Sequence, residues 1–257
     1  MKMVANSERA TGAGEQPAGI PASRVAAILP ALNEEAAIAA VLAGLRRAGL
    51  GWVIVVDNGS RDRTADRARD AGAMVIAEPR RGYGAACWQG MLALPAAAEW
   101  VLFCDADGSD DLDRIADFLS LASDFDFVLG ARESARGGGV TLAQRIGNAI
   151  ATRCMRWGWG WRYRDMGPFR LIRRSALERL RMQDRSWGWT LEMQVRAVEE
   201  GLRITEIVVR SLPREGGVSK IGGSWVGGAK AGVKIILTLV RMYARRQATR
   251  WFSAPVQ

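Results

Sequence analysis

Arg24-Val-Ala-Ala-Ile-Leu-Pro30-Ala-Leu-Asn33-Glu34-Glu35 is the first stretch of this chain with a readable fold signal. Val25 to Leu29 is a short continuous apolar run, and Pro30 cannot donate to a ladder, so a buried strand is expected to stop there. Asn33 then predicts a helix N-cap, with Glu34 and Glu35 at the positive end of the helix dipole. Ile38, Val41, Leu42 and Leu45 recur at helical spacing until Gly49 and Gly51 close the helix. The same unit repeats outward. Trp52-Val-Ile-Val-Val56 reads as a second strand, with a turn at Asp57-Asn-Gly-Ser60 and an Ala-rich helix to Ala71. Met74 to Ala77 reads as a third strand, followed by a helix around Ala85 to Leu94, and Glu99-Trp-Val-Leu-Phe-Cys104 as a fourth. Strands alternating with helices over about a hundred residues predict βαβ units: an α/β fold around a mostly parallel central sheet flanked by helices. Ligands of such sheets bind beyond the carboxyl ends of the strands. The residues of unusual chemistry fall there: Pro30 to Glu34, Asp57 to Ser60, Arg80 to Gly84 and Asp105 to Asp107.

The 257 residues include 36 Lys and Arg, 27 Asp and Glu, three Cys and no His. A chain of this length buries enough apolar surface to fold without disulfides or a structural metal. The absence of His excludes Ser-His-Asp and Cys-His nucleophile pairs, His-ligated zinc and an imidazole base, leaving catalysis to carboxylates, Lys, Arg or Tyr. Cys87, Cys104 and Cys154 form no C-x-x-C pair, which predicts free thiols in a reducing compartment. Residues 1–130 carry 12 Lys and Arg against 18 Asp and Glu, a net of −6; residues 131–257 carry 24 against 9, a net of +15. A basic half suits a polyanion: nucleic acid, an anionic membrane surface or a phosphorylated substrate. Residues 1–23 hold no continuous apolar segment of the signal-peptide kind and read as a flexible tail. Val233 to Tyr243 is apolar but interrupted by Lys234 and Arg241, and it is shorter than the roughly 20 residues of a spanning helix.

Asp105-Ala-Asp107 is the sharpest chemical signal. Alternate residues leaving a strand point the same way, so both carboxylates can face one Mg²⁺ or Mn²⁺, hard cations that commonly take one or two carboxylates plus substrate phosphates. A bare D-x-D is common by chance, and Asp110, Asp111 and Asp113 also suit a loop and helix start. Gly82-Tyr-Gly84 begins like the dinucleotide fingerprint G-x-G-x-x-G but lacks the third glycine and follows the third strand, which argues against a dehydrogenase. With Arg80 and Arg81 before it, this loop suits either the approach of a phosphate or a plain connection.

Leu29-Pro-Ala-Leu-Asn33-Glu34-Glu35, Val55-Val-Asp57-Asn-Gly-Ser60-Arg-Asp62-Arg-Thr64 and Phe103-Cys-Asp105-Ala-Asp107-Gly-Ser109, in series, are far more specific than any one motif. In this order and spacing they resemble family 2 glycosyltransferases of the GT-A fold. Within that family the chain most resembles the dolichyl-phosphate-mannose synthase-like, polyprenyl-phosphate glycosyltransferase branch, from about residue 24 to about residue 235. The resemblance implies that Pro30, Ala31, Asn33, Glu34 and Asp57 bind the base and ribose of a nucleotide sugar, with Asp57 reading the base and Gly82 beside the nucleotide. It further implies that Asp105 and Ala106 approach the nucleotide, and that Asp105 and Asp107 hold Mg²⁺ or Mn²⁺, Asp107 at the metal bridging the diphosphate. Asn58 departs from the pattern, standing where a second Asp is frequent, and Gly108-Ser109 stands where some synthases supply another metal ligand.

In the second half, Gly130-Ala-Arg132 resembles the family's strand end, and Asp165-Met-Gly-Pro-Phe-Arg170 a segment more often written S-G-F-R. Arg170 then either meets a phosphate or pairs with Asp165. Glu192, in Trp187-Gly-Trp-Thr-Leu-Glu192-Met-Gln-Val-Arg196, is either a general base toward an acceptor hydroxyl or a positioning residue that holds an Arg. A base is needed only for a neutral acceptor, since a phosphate monoester, with second pKa around 6, is already ionised near pH 7. Pro213-Arg214-Glu-Gly-Gly-Val-Ser219-Lys220 resembles the basic loop that closes over the diphosphate, where Arg214 and Lys220 neutralise the leaving group. Trp225 to Arg246 reads as a basic amphipathic helix that either lies in a membrane interface or packs on the domain, and Trp157-Gly-Trp-Gly-Trp161 adds aromatic surface.

The expected organisation is a tail at 1–23, a GT-A domain at 24–222 with its nucleotide half at about 24–130 and acceptor half at about 131–222, and a basic helix and tail at 223–257. The expected function is metal-dependent, inverting transfer of a sugar from a UDP- or GDP-linked donor to a polyprenyl phosphate. Asp107, Arg170 and Lys220 lead this chemistry and Glu192 is secondary. The enzyme is expected to sit peripherally on the cytoplasmic face of an anionic membrane, where a membrane-protein partner would have access to it. One rival keeps the enzyme but makes the acceptor a hydroxyl, with Glu192 as base. Another, nucleic-acid binding by the basic half, is disfavoured because the arginines are dispersed and no nucleic-acid motif is present.

Overall fold

A computed structural model of the chain describes residues 19–133, 142–214, 238–244 and 246. Seven strands form one sheet: β1 (Val25–Ala31), β2 (Trp52–Asp57), β3 (Met74–Ala77), β4 (Trp100–Phe103), β5 (Phe127–Arg132), β6 (Arg170–Arg173) and β7 (Ile204–Val209). Their order across the sheet is β3-β2-β1-β4-β6-β5-β7. β1 to β4 pair in parallel, as do β5 and β7, and β6 alone runs antiparallel, inserted between β4 and β5. The α/β fold with a mostly parallel sheet is therefore present, and strands from both halves of the chain share it.

Among the described residues the faces are covered by the helices α1 (Ile38–Arg47), α2 (Thr64–Asp70), α3 (Tyr83–Leu92), α4 (Ile115–Leu121), α5 (Leu142–Trp159), α6 (Arg174–Arg179) and α7 (Trp189–Glu199). Alternation along the strands sorts the core into two layers. Val25, Ala27 and Leu29 of β1 pack with Ile38, Leu42, Ala68, Ile115 and Phe118 from α1, α2 and α4. Ile28 packs on the opposite face with Ala86, Met155, Leu177 and Trp189 from α3, α5, α6 and α7. A sheet covered on both faces needs apolar residues at every position, which is why Val25 to Leu29 is a continuous apolar run.

Two local expectations are corrected. β1 runs one residue beyond Pro30, to Ala31. The ladder from β1 to β4 ends at Ile28, so the missing Pro30 N–H would have had no partner on that side. Asn33 does not cap α1, which begins four residues after Glu34, at Ile38. Its φ of 54° lies in the left-handed region, where an N-cap's extended backbone is excluded, and its side chain is committed elsewhere. The three cysteines are free thiols, Cys87 and Cys104 buried. Most of the basic helix expected over 225–246 lies outside the described residues; its described part, 238–244, is helical, with Leu239 buried. Among the described residues no helix is long and apolar enough to cross a membrane.

Phe118 of α4 and Phe169, the residue before β6, meet with ring centroids 4.5 Å apart and are both fully buried. Phe118→Ala is expected to destabilise the chain by about 3–5 kcal/mol in urea unfolding, the usual cost of such a cavity. Retention of the wild-type midpoint would show that this contact does not hold β6 in the sheet.

Candidate active site

The loops after β1 and β2 are stitched together by the motif residues themselves. Asn33 N–H donates to Ser60 Oγ at 2.9 Å, and Asn33 Oδ1 accepts Arg61 N–H at 2.8 Å. Glu34 N–H donates to Thr64 Oγ1 at 2.8 Å, and Glu35 Oε2 accepts Arg63 N–H at 3.0 Å. Asp57, at the end of β2, stands in register with Ala31 and accepts Ser60 N–H through Oδ1 at 3.1 Å. The expected nucleotide residues Pro30, Ala31, Asn33, Glu34 and Asp57 are thus brought onto one pair of strand ends.

Asn58 ties a third strand end to this pair. It is buried, its Nδ2 donates to Glu78 O at 2.8 Å and Arg80 O at 2.7 Å, and its Oδ1 accepts Gly82 N–H at 2.9 Å. Only an amide can donate twice and accept once here, which gives the departure from Asp a structural cause. Gly82 and Gly84 serve packing: a Cβ on them would lie 2.4 Å from Arg185 O and 2.6 Å from Asp184 O. The start of α3 therefore presses directly on the 184–186 loop, where the Arg185 guanidinium stacks 3.5 Å over the Trp88 ring.

β4 delivers three carboxylates within six residues of chain. Asp105 is half-buried at the strand end, next to buried Ala106, Asp107 and Asp110. Burial and the neighbouring Asp107 charge raise the Asp105 carboxyl to about 7, with Glu34 adding to the effect and Arg214 and Arg132 opposing it. Burial, and then Asp105, pushes the Asp110 carboxyl well above the usual range, although its Oδ2 accepts Asp105 N–H at 2.7 Å. Asp107 Oδ1 accepts Ser109 N–H at 2.9 Å, and its Oδ2 faces the Arg214 guanidinium at 2.9 Å.

Arg214 arrives there because the chain leaving β7 is sewn along the carboxylate loop. Arg210 grips buried Asp111 through Nε and Nη2, both at 2.8 Å, and reaches Asp113 at 3.2 Å. Ser211 bridges Asp110, and Leu212 N–H donates to Ser109 O at 3.0 Å. The acidic run after the D-x-D is thus a docking strip for a later segment, not only the start of a helix.

The acceptor half is organised differently from its motif order. Arg170 is fully buried and donates to the carbonyls of Gly167, Pro168 and Thr190, so its guanidinium joins the 167–170 segment to the start of α7. Asp165 pairs with Arg132, not Arg170, through two bonds at 2.6 and 2.9 Å. Glu206 on β7 accepts Arg164 N–H at 3.0 Å, and burial raises its carboxyl to about 7. Glu192 is buried: its Oε2 accepts the N–H groups of Gln183 and Asp184 at 3.0 and 2.7 Å, and its Oε1 accepts Arg196 Nε at 2.7 Å. Lys220 lies outside the described residues.

These strand ends coincide with a known family. The family described as glycosyl transferase family 2 matches residues 26–181, which contain all four of them. The chain belongs to glycosyl transferase family 2. This glycosyltransferase is 40% identical over 208 residues to an uncharacterized glycosyltransferase of Mycobacterium bovis, covering 79% of this chain and 92% of the relative. It is 31% identical over 216 residues to a dolichyl-phosphate hexose transferase of Haloferax volcanii, covering 82% and 92%. It is 28% identical over 245 residues to the polyprenol monophosphomannose synthase of Mycolicibacterium smegmatis, covering 86% and 90%. Among solved structures, glucosyl-3-phosphoglycerate synthase from Mycobacterium tuberculosis, in complex with Mn²⁺, UDP-glucose and phosphoglyceric acid, shares the fold with a TM-score of 0.69 at 18% identity, covering 87% of this chain and 82% of that one.

Three features of the glycosyltransferase escaped the sequence motifs: the Asn58 clamp, the Arg132–Asp165 pair and the Arg210 seam. Only the first left a signal, an Asn where Asp is frequent. Asn58→Asp would face two carbonyls with a carboxylate, and a loss of about 1–3 kcal/mol in urea unfolding is expected; unchanged stability would remove the clamp. Asp105 supplies a pH signature. The folded chain keeps its proton up to about 7, whereas the unfolded chain releases it near 4, so in this range stability falls as pH rises. Asp105→Asn is therefore expected to raise the metal-free melting temperature at pH 8 and leave it nearly unchanged at pH 4. An equal shift at both would contradict this origin.

Proposed function

We propose that the enzyme transfers a sugar from a UDP- or GDP-linked donor to a polyprenyl phosphate, with Mg²⁺ or Mn²⁺ as cofactor. The observation that carries this reading is the pair Asp105 and Asp107 at the end of β4, where burial and then the neighbouring Asp107 charge raise the Asp105 carboxyl to about 7. Among the described residues no three Cys, Asp or Glu side chains are grouped to hold a metal ion by themselves. Two carboxylates completed by substrate phosphates is the arrangement a hard divalent cation favours, so the residues present fit the group. When bound, the cation would neutralise charge on the donor diphosphate. The solved relatives crystallised with Mn²⁺ and UDP support the same reading.

Asp57, Asn33, Glu34, Pro30, Ala31, Gly82 and Ala106 then frame the nucleoside, and Asp105 and Asp107 its diphosphate. Arg214 and Lys220 lie on the segment after β7 and would meet the leaving nucleoside diphosphate. An acceptor phosphate oxygen attacks the anomeric carbon as the bond to the donor β-phosphate oxygen breaks, inverting that carbon. No proton need be removed, because the acceptor is already an anion. Glu192 suits this scheme as a positioning residue, since its oxygens already serve the 183–184 backbone and Arg196. Arg170 is likewise a positioning residue for the 167–170 segment. A lipid-phosphate acceptor agrees with the net charge of +15 over residues 131–257 and with the names of the Haloferax and Mycolicibacterium relatives, and it would place the enzyme peripherally on an anionic membrane.

Calorimetric titration of UDP and GDP, with and without Mn²⁺ or Mg²⁺, tests the donor site. Metal-dependent binding of one nucleotide, lost in Asp107→Ala, is expected. Metal-independent binding that survives the substitution would refute the assignment of Asp107. Glu192→Gln is expected to keep kcat for a phosphate acceptor within about tenfold, whereas removing a general base typically costs 10²–10⁴-fold. A loss of that larger size would make the acceptor a hydroxyl.

A further inference from the structure

α5 carries three large apolar side chains into solvent: Ile146 is 53% exposed, Ile150 41% and Trp157 76%. Steps of four and seven residues put them in one row along the helix, while Ala151, Met155 and Trp159 bury the opposite face in the core. Arg145, Arg153 and Arg156 are exposed beside the row, and the Arg153 guanidinium sits 5.7 Å over the Trp157 ring. Leu142–Trp159 contains no acidic residue. The patch continues onto the helical segment at 238–244, where exposed Tyr243 meets Trp159 edge-on at 6.0 Å and Val240 is exposed. Arg246 donates to Gly158 O at the same junction.

Single exposed apolar residues are ordinary, but a row of them whose charged neighbours on α5 are all cations marks an interaction surface. A two-fold pairing of this face would bring Arg145, Arg153 and Arg156 of one copy against those of the other. An anionic bilayer meets both halves of the pattern, taking the isoleucines and the tryptophan at the acyl boundary and the arginines at the headgroups. The surface also begins beside the active site. Asn148 of α5 accepts Met166 N–H at 2.8 Å, and the adjacent Asp165 holds Arg132 at the end of β5.

We propose that the outward face of α5 is the surface by which this enzyme docks on an anionic lipid bilayer. Its purpose rests on the reading of the acceptor as a lipid phosphate, because docking there brings a membrane-embedded phosphate to the strand ends while its chain stays in lipid. It places the membrane contact on a helix inside the catalytic domain, continuous with the described part of the basic C-terminal helix, for which the sequence left a membrane interface and packing on the domain equally open.

Co-sedimentation of the full chain with vesicles of phosphatidylcholine alone and of equimolar phosphatidylcholine and phosphatidylglycerol tests this. The wild type is expected to bind the anionic vesicles only. Ile146→Ser/Ile150→Ser/Trp157→Ser and Arg145→Gln/Arg153→Gln/Arg156→Gln should each weaken binding at least roughly tenfold. Both variants should keep wild-type nucleoside diphosphate binding and circular dichroism, which shows that they fold. Wild-type vesicle binding by the folded variants would overturn the proposal. So would a dimer, seen by analytical ultracentrifugation, that the same substitutions dissociate while the wild type ignores vesicles. Transfer to a water-soluble short-chain polyprenyl phosphate separates the two readings. If none occurs while vesicle binding through α5 persists, the acceptor assignment fails and the docking surface stands.

Discussion

Asp105, Asp107 and Asp110 are crowded at the end of one buried strand, and much of the molecule is arranged around that charge. Like carboxylates in a poorly solvated site cannot all ionise without compensation. Here the compensation is partial: an N–H to Asp110, the Arg214 guanidinium on Asp107, and the more distant field of Arg132. The remainder shows as the raised Asp105 carboxyl. The sheet order explains how so costly a cluster is held. β4 lies between β1 and the antiparallel β6, so Asp105 leaves a fully paired strand and cannot relax away.

The surrounding contacts divide labour between the two halves of the sheet. On the β1–β3 side, backbone-to-side-chain bonds fix the loops carrying Asn33, Asp57 and Gly82 into one edge. On the β5–β7 side, arginines do the joining: Arg210 to Asp111, Arg132 to Asp165, and Arg170 to three carbonyls. The basic second half is therefore not simply a field for polyanions. Several of its arginines are consumed in holding the acidic loop and the 165–170 segment, and the outward-facing remainder includes the row along α5.

The β1–β4 half was legible because its signals are local. Apolar runs gave the strands, helical spacing gave α1, Ala-rich stretches gave α2 and α3, and Met74–Ala77 appears with the expected bounds. The place of the candidate site residues, at the strand ends, followed from the fold class. What stayed hidden depends on contacts between residues far apart in sequence. Arg170 was expected to meet a phosphate or else to pair with Asp165, yet the pairing of β5 with β6 brings Arg132 to Asp165, and Arg170 turns inward onto three carbonyls. Asn33 looked like a helix cap because its type suits one, but the turn at Ser60 and Arg61 holds it in a left-handed conformation. Arg214 was expected at a leaving group; the β7 seam sets it on Asp107.

The central claim concerns what receives the sugar. Incubation with UDP- and GDP-sugars, Mn²⁺ and a short-chain polyprenyl phosphate, read by mass spectrometry, tests it directly. The account predicts a lipid phosphate heavier by one sugar residue and an equal amount of nucleoside diphosphate released, with both products lost on chelation of the metal. Sugar found on a hydroxyl acceptor instead, with the lipid phosphate untouched, would contradict it.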